Sequence, residues 1–320
     1  NHLNQSARQL AYPNRNSYIV IRISKIKLVF QNNFKTAFRT LRKNKIYTGI
    51  NLLGLTVGIA AVLLIFRMVS YELSFNKGFE NYDRIVRVVA ENHRPQGKTF
   101  STCTPIPAMD EMETTVSQFE KMTRIKELWG SLTIPNPDGG APLKKFGLEG
   151  GTTAFFAEPA FTQIFNFEWL AGDPLTALEE PNAVVLTKTW AEKCFDYWEN
   201  AVGQTVLFDN LYPLTVKGVV EDLPTNIDFN FPFLVSYPTI KTDPNYFFYS
   251  EDWGSCSSNN QVYALLQSRE QFDAANELMM TVGKEQYMDE SGVQRRFQVL
   301  QPLSDLHFNE EYSNSGSHRT

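Results

Sequence analysis

From Ile46 to Phe66 the chain reads IYTGINLLGLTVGIAAVLLIF, twenty-one positions without Asp, Glu, Lys, Arg or His. A helix of that length rises about 1.5 Å per residue and covers roughly 30 Å, the thickness of a bilayer's hydrocarbon layer. Lys43 and Lys45 precede the run, and Arg67 and Glu72 close it. A cleaved signal peptide would have an apolar core of only about 7–15 residues and then small residues in an A-x-A pattern. Arg67-Met-Val-Ser-Tyr-Glu72 offers no such site, so the run reads as an uncleaved transmembrane helix over 46–69. Just upstream, in FKTAFRTLRKN, Phe34, Ala37, Phe38 and Leu41 recur at helical spacing with the basic residues on other faces. That pattern predicts an amphipathic helix over 31–45 lying on an anionic inner leaflet, with Lys35, Arg39, Arg42, Lys43 and Lys45 at the membrane surface. A plain basic linker is the alternative. Residues 1–30 lack periodicity and read as a disordered or spurious extension.

Downstream the period changes. Asp83–Ala90 is a β-branched run that predicts a strand, Pro105–Val116 a helix and Glu120–Leu128 a second strand. The same order returns near the end, with strand Gln261–Gln267, helix Gln271–Gln286 and strand Arg296–Leu300. Two β-α-β units separated in this way predict an α+β fold of sheet against helices, about 79–134 and 223–310, with an inserted, mainly β subdomain over about 135–222. The insert opens at the turn cluster Pro135-Asn-Pro-Asp-Gly-Gly140. Within it, Ala183–Thr187 predicts a strand, Lys188–Phe195 a short helix, and Gln204–Phe208 with Leu214–Val220 a hairpin around Asp209-Asn210. The aromatic stretch Phe155–Leu170 reads as core rather than a ligand groove.

Charge turns this pattern into a topology. Residues 1–45 carry ten basic and no acidic side chains, leaving 20 basic against 35 acidic groups for the rest. A basic head could be a nucleic-acid arm, but here it runs directly into the apolar helix. Basic flanks stay cytoplasmic, which places the N-terminus inside and the 70–320 domain outside. No nucleic acid is expected as a partner. Within the helix, Gly54 and Gly58 form a G-x-x-x-G pair through which a second helix could approach closely.

The search for chemistry is mostly negative. Gly97-Lys98-Thr99 lacks the earlier glycine of a phosphate loop, since that position is Asn92. The four histidines, His2, His93, His307 and His318, are scattered without metal spacing. Glu179-Glu180 and Glu221-Asp222 fall at turns and read as solvated carboxylates. Cys103, Cys194 and Cys256 allow at most one internal disulfide with one thiol over, and all three read as small buried residues. No catalytic, cofactor or metal residues are assigned, and the chain does not read as an enzyme.

The segment Asn33–Phe75 resembles the N-terminus of FtsX-like ABC transporter permeases with a MacB-like periplasmic core domain. The likeness continues through Tyr82–Val88, Phe161-Thr-Gln-Ile-Phe165, Leu170-Ala-Gly-Asp173, Val184–Lys188 with Ala191, Gly203-Gln204, Val216–Pro224 and Leu300–His307. What the resemblance implies is a permease subunit in a bacterial inner membrane. A separate cytoplasmic ABC ATPase would bind the ATP, and the periplasmic domain would move in response. It also implies a homodimer or paired permease, contact with membrane lipids, and porter-like and sabre-like parts in the periplasmic domain. Family members carry three further membrane helices after that domain, so this chain, which also lacks an initiating Met, is expected to be an N-terminal portion. The competing expectation is a single-pass envelope sensor or ligand-binding module.

Overall fold

The computed structural model describes residues 32–148 and 153–312. The expected extension over 1–30 lies outside the described residues. The chain divides into two compact units, Asn1–Ser70 and Tyr71–Thr320.

The first unit holds α1 (residues 32–43) and most of α2 (Lys45–Glu72). Asn44 and Thr48 donate their backbone N–H groups to Thr40 and Asn44, carrying the helical ladder across the join. No residue of α2 is buried, and its leucines, isoleucines and valines project on every side. A helix apolar all round has no partner face in water and is satisfied by lipid. It is the one helix among the described residues long and apolar enough to cross a membrane.

The second unit is built on one thirteen-stranded sheet. Its first part comprises β1 (Ile85–Arg94), β2 (Gly97–Ser101), α3 (Ala108–Thr115) and β3 (Phe119–Leu128). The middle comprises β4 (Ser131–Ile134), β5 (Lys144–Gly147), β6 (Ala154–Ala157), α4 (Pro159–Ile164), β7 (Trp169–Ala171) and β8 (Ala183–Thr187). After it come α5 (Lys188–Phe195), β9 (Thr205–Phe208), β10 (Tyr212–Val220) and β11 (Phe233–Ser236). The last part is β12 (Asn260–Leu266), α6 (Phe272–Met279), β13 (Arg296–Pro302) and α7 (Leu303–Leu306).

The spatial order β13-β1-β12-β3 is antiparallel throughout and joins the two β-α-β units as expected. The sheet continues through β6, β11, β8, β10, β9, β4 and β5. The crossovers make β11 parallel to β6 and β10 parallel to β8.

Three of the four buried clusters among the described residues follow from the period-2 alternation of these strands. Met109 and Met112 of α3 pack with Ala275 and Met279 of α6 against Val86, Val88, Val262 and Ala264. On another face, Phe161 and Ile164 of α4 and its C-cap Phe165 meet Ile125, Phe155, Tyr263 and Phe231. Cys194 and Ala191 of α5 pack on Val184, Leu186 and Phe233. The aromatic stretch is thus core, with Phe161 and Phe165 fully enclosed. Gly218 marks a bulge in β10 where Trp169 crosses, and a β-carbon there would lie 2.5 Å from the indole ring. The β9–β10 turn runs through Asp209 and Asn210, both at positive φ (49° and 56°), as a tight hairpin requires.

The reading of all three cysteines as small buried residues is corrected. Cys103 and Cys256 form a disulfide with Cα atoms 5.7 Å apart, leaving Cys194 free and buried. A separation of 153 residues hides a proximity that the β1–β12 pairing creates.

Candidate coupling site

The last two residues of α2, Tyr71 and Glu72, belong to the second unit, and so does the strap that follows them. The chain turns at once, with Ser74 donating N–H to the Tyr71 carbonyl. It then enters Asn76, which is buried at φ 60°, a left-handed position that asparagine tolerates better than most residues. The strap is fastened to residues 225–228. Tyr71 Oη donates to the Thr225 carbonyl at 3.2 Å, and Asn226 Nδ2 donates to Ser74 O at 3.1 Å. Asn76 Nδ2 donates to Asp228 Oδ2 at 2.5 Å, while the Asp228 N–H donates back to Asn76 Oδ1 at 3.1 Å.

The third partner comes from the far end of the unit. Pro302 caps α7, whose Leu303 and Leu306 are buried and so fix the position of the next residue, His307. Its Nδ1 lies 2.8 Å from Asp228 Oδ1 and its Nε2 2.9 Å from Glu72 Oε2. Phe75 stacks on the imidazole at 3.6 Å between ring centroids, and Phe308 meets it edge-on at 5.0 Å. Burial works against the imidazolium, but the hydrogen bonds to Glu72 and Asp228 outweigh it and raise the histidine above its usual value.

Beneath this cluster lies a buried polar network. Arg87, in the middle of β1, is 1% exposed and donates from Nε and Nη2 to Gln301 Oε1 at 3.1 and 2.6 Å. Gln301 Nε2 in turn donates to Asp305 Oδ2 at 2.9 Å. Burial lowers the Arg87 guanidinium, and Tyr263, Asp228 and Asp305 oppose that shift. A buried cation held in this way sits in β1 at the register of Gln301 in β13 and Tyr263 in β12. The strap, the 225–228 turn and the C-terminal segment therefore converge on one set of ionised and hydrogen-bonded groups. Such a set can hold a proton on the imidazole between two carboxylates.

The residues singled out from sequence lie elsewhere. Gly54 and Gly58 sit one turn apart on α2, with open space at both α-carbons. Lys35, Arg39, Arg42, Lys43 and Lys45 are exposed on α1 and the start of α2. Gly97-Lys98-Thr99 is part of β2 in a hairpin. Asp222, read as a solvated carboxylate, binds the start of α5, accepting from Thr189 N–H at 3.0 Å and from its hydroxyl at 2.6 Å. Sequence reasoning missed His307, Asp228 and Arg87. Of these Arg87 left a signal, because a cation alternating with Ile85 and Val89 falls on an inward-facing position.

The family comparison decides what kind of domain this is. Residues 48–282 match the model of the MacB-like periplasmic core domain. The chain belongs to that family. The fold agrees with it. A domain ascribed to a permease protein from Porphyromonas gingivalis superposes with a TM-score of 0.54 at 20% identity, covering 70% of this chain and 91% of that one. The periplasmic region of MacB from Actinobacillus actinomycetemcomitans aligns at 16% identity with a TM-score of 0.47, over 75% of this chain and 97% of the other. The extracellular domain of the noncanonic ABC-type transporter YknZ from Gram-positive bacteria aligns at 12% identity with a TM-score of 0.46, over 67% and 99%. No curated protein matches. The family match begins within the apolar helix α2 and continues without a break into the sheet domain.

Proposed function

We propose that this chain belongs to an ABC transporter permease subunit and is anchored in the membrane by α2. In this reading a separate cytoplasmic ATPase supplies ATP binding and hydrolysis, α2 transmits the resulting movement, and the periplasmic-type domain changes shape to extract or export an envelope substrate. The observation that carries it is continuity. The family match runs without a break from within α2 to Val282, and the last residue of that helix is tied to His307. The basic residues of α1 support a cytoplasmic N-terminus in an inner membrane, with anionic lipid as their partner. The Cys103–Cys256 disulfide supports an oxidising location for the domain. Gly54 and Gly58 are the positions at which a second permease helix would pack.

The test is purification of the protein, as the gene encodes it, from native membranes after mild crosslinking. Recovery of an ABC ATPase in stoichiometric amount is the expected result. A well-folded protein that never brings an ATPase with it would overturn the reading and leave a single-pass sensor or binding module.

A further inference from the structure

We infer that His307 is a proton-operated latch that fastens the end of α2 to the C-terminal segment of the domain and releases it when the imidazole loses its proton. Ionised carboxylates accept hydrogen bonds and do not donate them, and a neutral imidazole carries a single N–H. His307 has a carboxylate oxygen at each ring nitrogen, Asp228 at 2.8 Å and Glu72 at 2.9 Å. Both contacts are hydrogen bonds only if both nitrogens are protonated. In the neutral ring one of them becomes a lone pair facing a carboxylate.

Which arm opens follows from burial. The Asp228 side chain is 2% exposed, whereas that of Glu72 is 47% exposed. A buried carboxylate deprived of a donor loses far more than one that water can reach. Neutral His307 therefore keeps its proton on Nδ1 for Asp228 and lets go of Glu72. The freed residue is the last of α2, and the strap behind it then relies on Tyr71, Asn76 and Asn226. Phe75, stacked on the ring, loses the cationic partner that favours this packing.

The titratable groups that face His307 are Glu72 from α2 and Asp228 from the turn before β11. Around Asp228 lie Arg87 from β1, Tyr263 from β12 and Asp305 from α7. Three acids and one buried cation leave the site net negative, which favours a proton on His307. The sign is then fixed. A histidine raised by the fold contributes its stabilisation in full below its unfolded value of 6.5, and that contribution is lost as pH rises through the folded value. The latch is closed in acid and opens as pH rises through the folded value, which lies above 6.5.

This inference needs no ATPase, so its failure leaves the permease reading untouched, and the reverse also holds. The test uses the full chain in detergent micelles with 15N-labelled histidine, followed by NMR from pH 5.5 to 9. Loss of one signal in His307→Gln assigns the resonance. His307 is expected to titrate above 6.5, with both nitrogens protonated before the transition and Nδ1–H alone after it. Hydrogen exchange at 71–76, normalised for intrinsic pH dependence, is expected to quicken about fivefold across the same transition. Glu72→Gln changes a half-exposed residue and should not prevent folding. It should shift the titration downward and flatten the normalised exchange. Titration at or below 6.5, a surviving Nε2–H tautomer, or a Glu72→Gln protein with an unchanged titration would each overturn the latch.

Discussion

Glu127 shows how a residue can be tolerated by a fold without helping it. It lies in β3 on the sheet face that carries Ile125 and Tyr263, is 5% exposed, and burial pushes its carboxyl up to about 7 from an ordinary value of 4.5. Because the folded form holds its proton more tightly, stability falls as pH rises from about 4.5 towards 7 and is level above that. Glu127→Gln keeps the shape and removes the charge. It should leave stability unchanged near pH 4.5 and raise it by about 1–2 kcal/mol at pH 8, the linkage value discounted for partial solvent screening. Urea titrations of the two proteins at both pH values measure this. Equal stability at pH 8 would mean that water reaches the carboxyl. Nothing in the local sequence marks Glu127 as buried, since Lys126 beside it is also enclosed and donates to the Phe247 and Phe248 carbonyls at 2.7 Å. Two adjacent charged residues on opposite faces of a strand look solvated until both faces are known to be covered.

At the scale of elements, legibility followed length and periodicity. Strand β8 and helix α5 have the expected bounds, Ala183–Thr187 and Lys188–Phe195. In α6 the expected helix of Gln271–Gln286 stops at Met279, because Thr281 bonds back to the Leu278 carbonyl and Gly283 turns the chain at φ 69°. Strands β4, β5, β6 and β11 span four residues each and escaped notice. A segment that short carries too little alternation to be read, and its pairing partner, not its own pattern, makes it a strand. The disulfide belongs to this scale as well, because it ties the segment after β2 to the loop before β12. Reduction, or Cys103→Ser, should lower unfolding stability by roughly 2–5 kcal/mol, since the closed loop is long. The measurement is the urea midpoint with and without dithiothreitol. Matching midpoints would remove the disulfide from the native state. Cys194, buried and raised to about 12, should stay unreactive until the chain unfolds.

For the whole molecule, the sequence made the apolar helix and the pair of β-α-β units readable, because each rests on a long regular pattern. It did not make the coupling site readable. Glu72, Asp228 and His307 are separated by up to 235 residues, and no local rule joins three such positions. In the proposed function, force from ATP turnover reaches the domain through the strap behind α2. Hydrogen exchange of the native complex in nanodiscs, with and without ATP, tests it most directly. The expected result is an ATP-dependent change in exchange at 71–76 and 225–228 together. ATP turnover by the bound ATPase with unchanged exchange in both segments would contradict it.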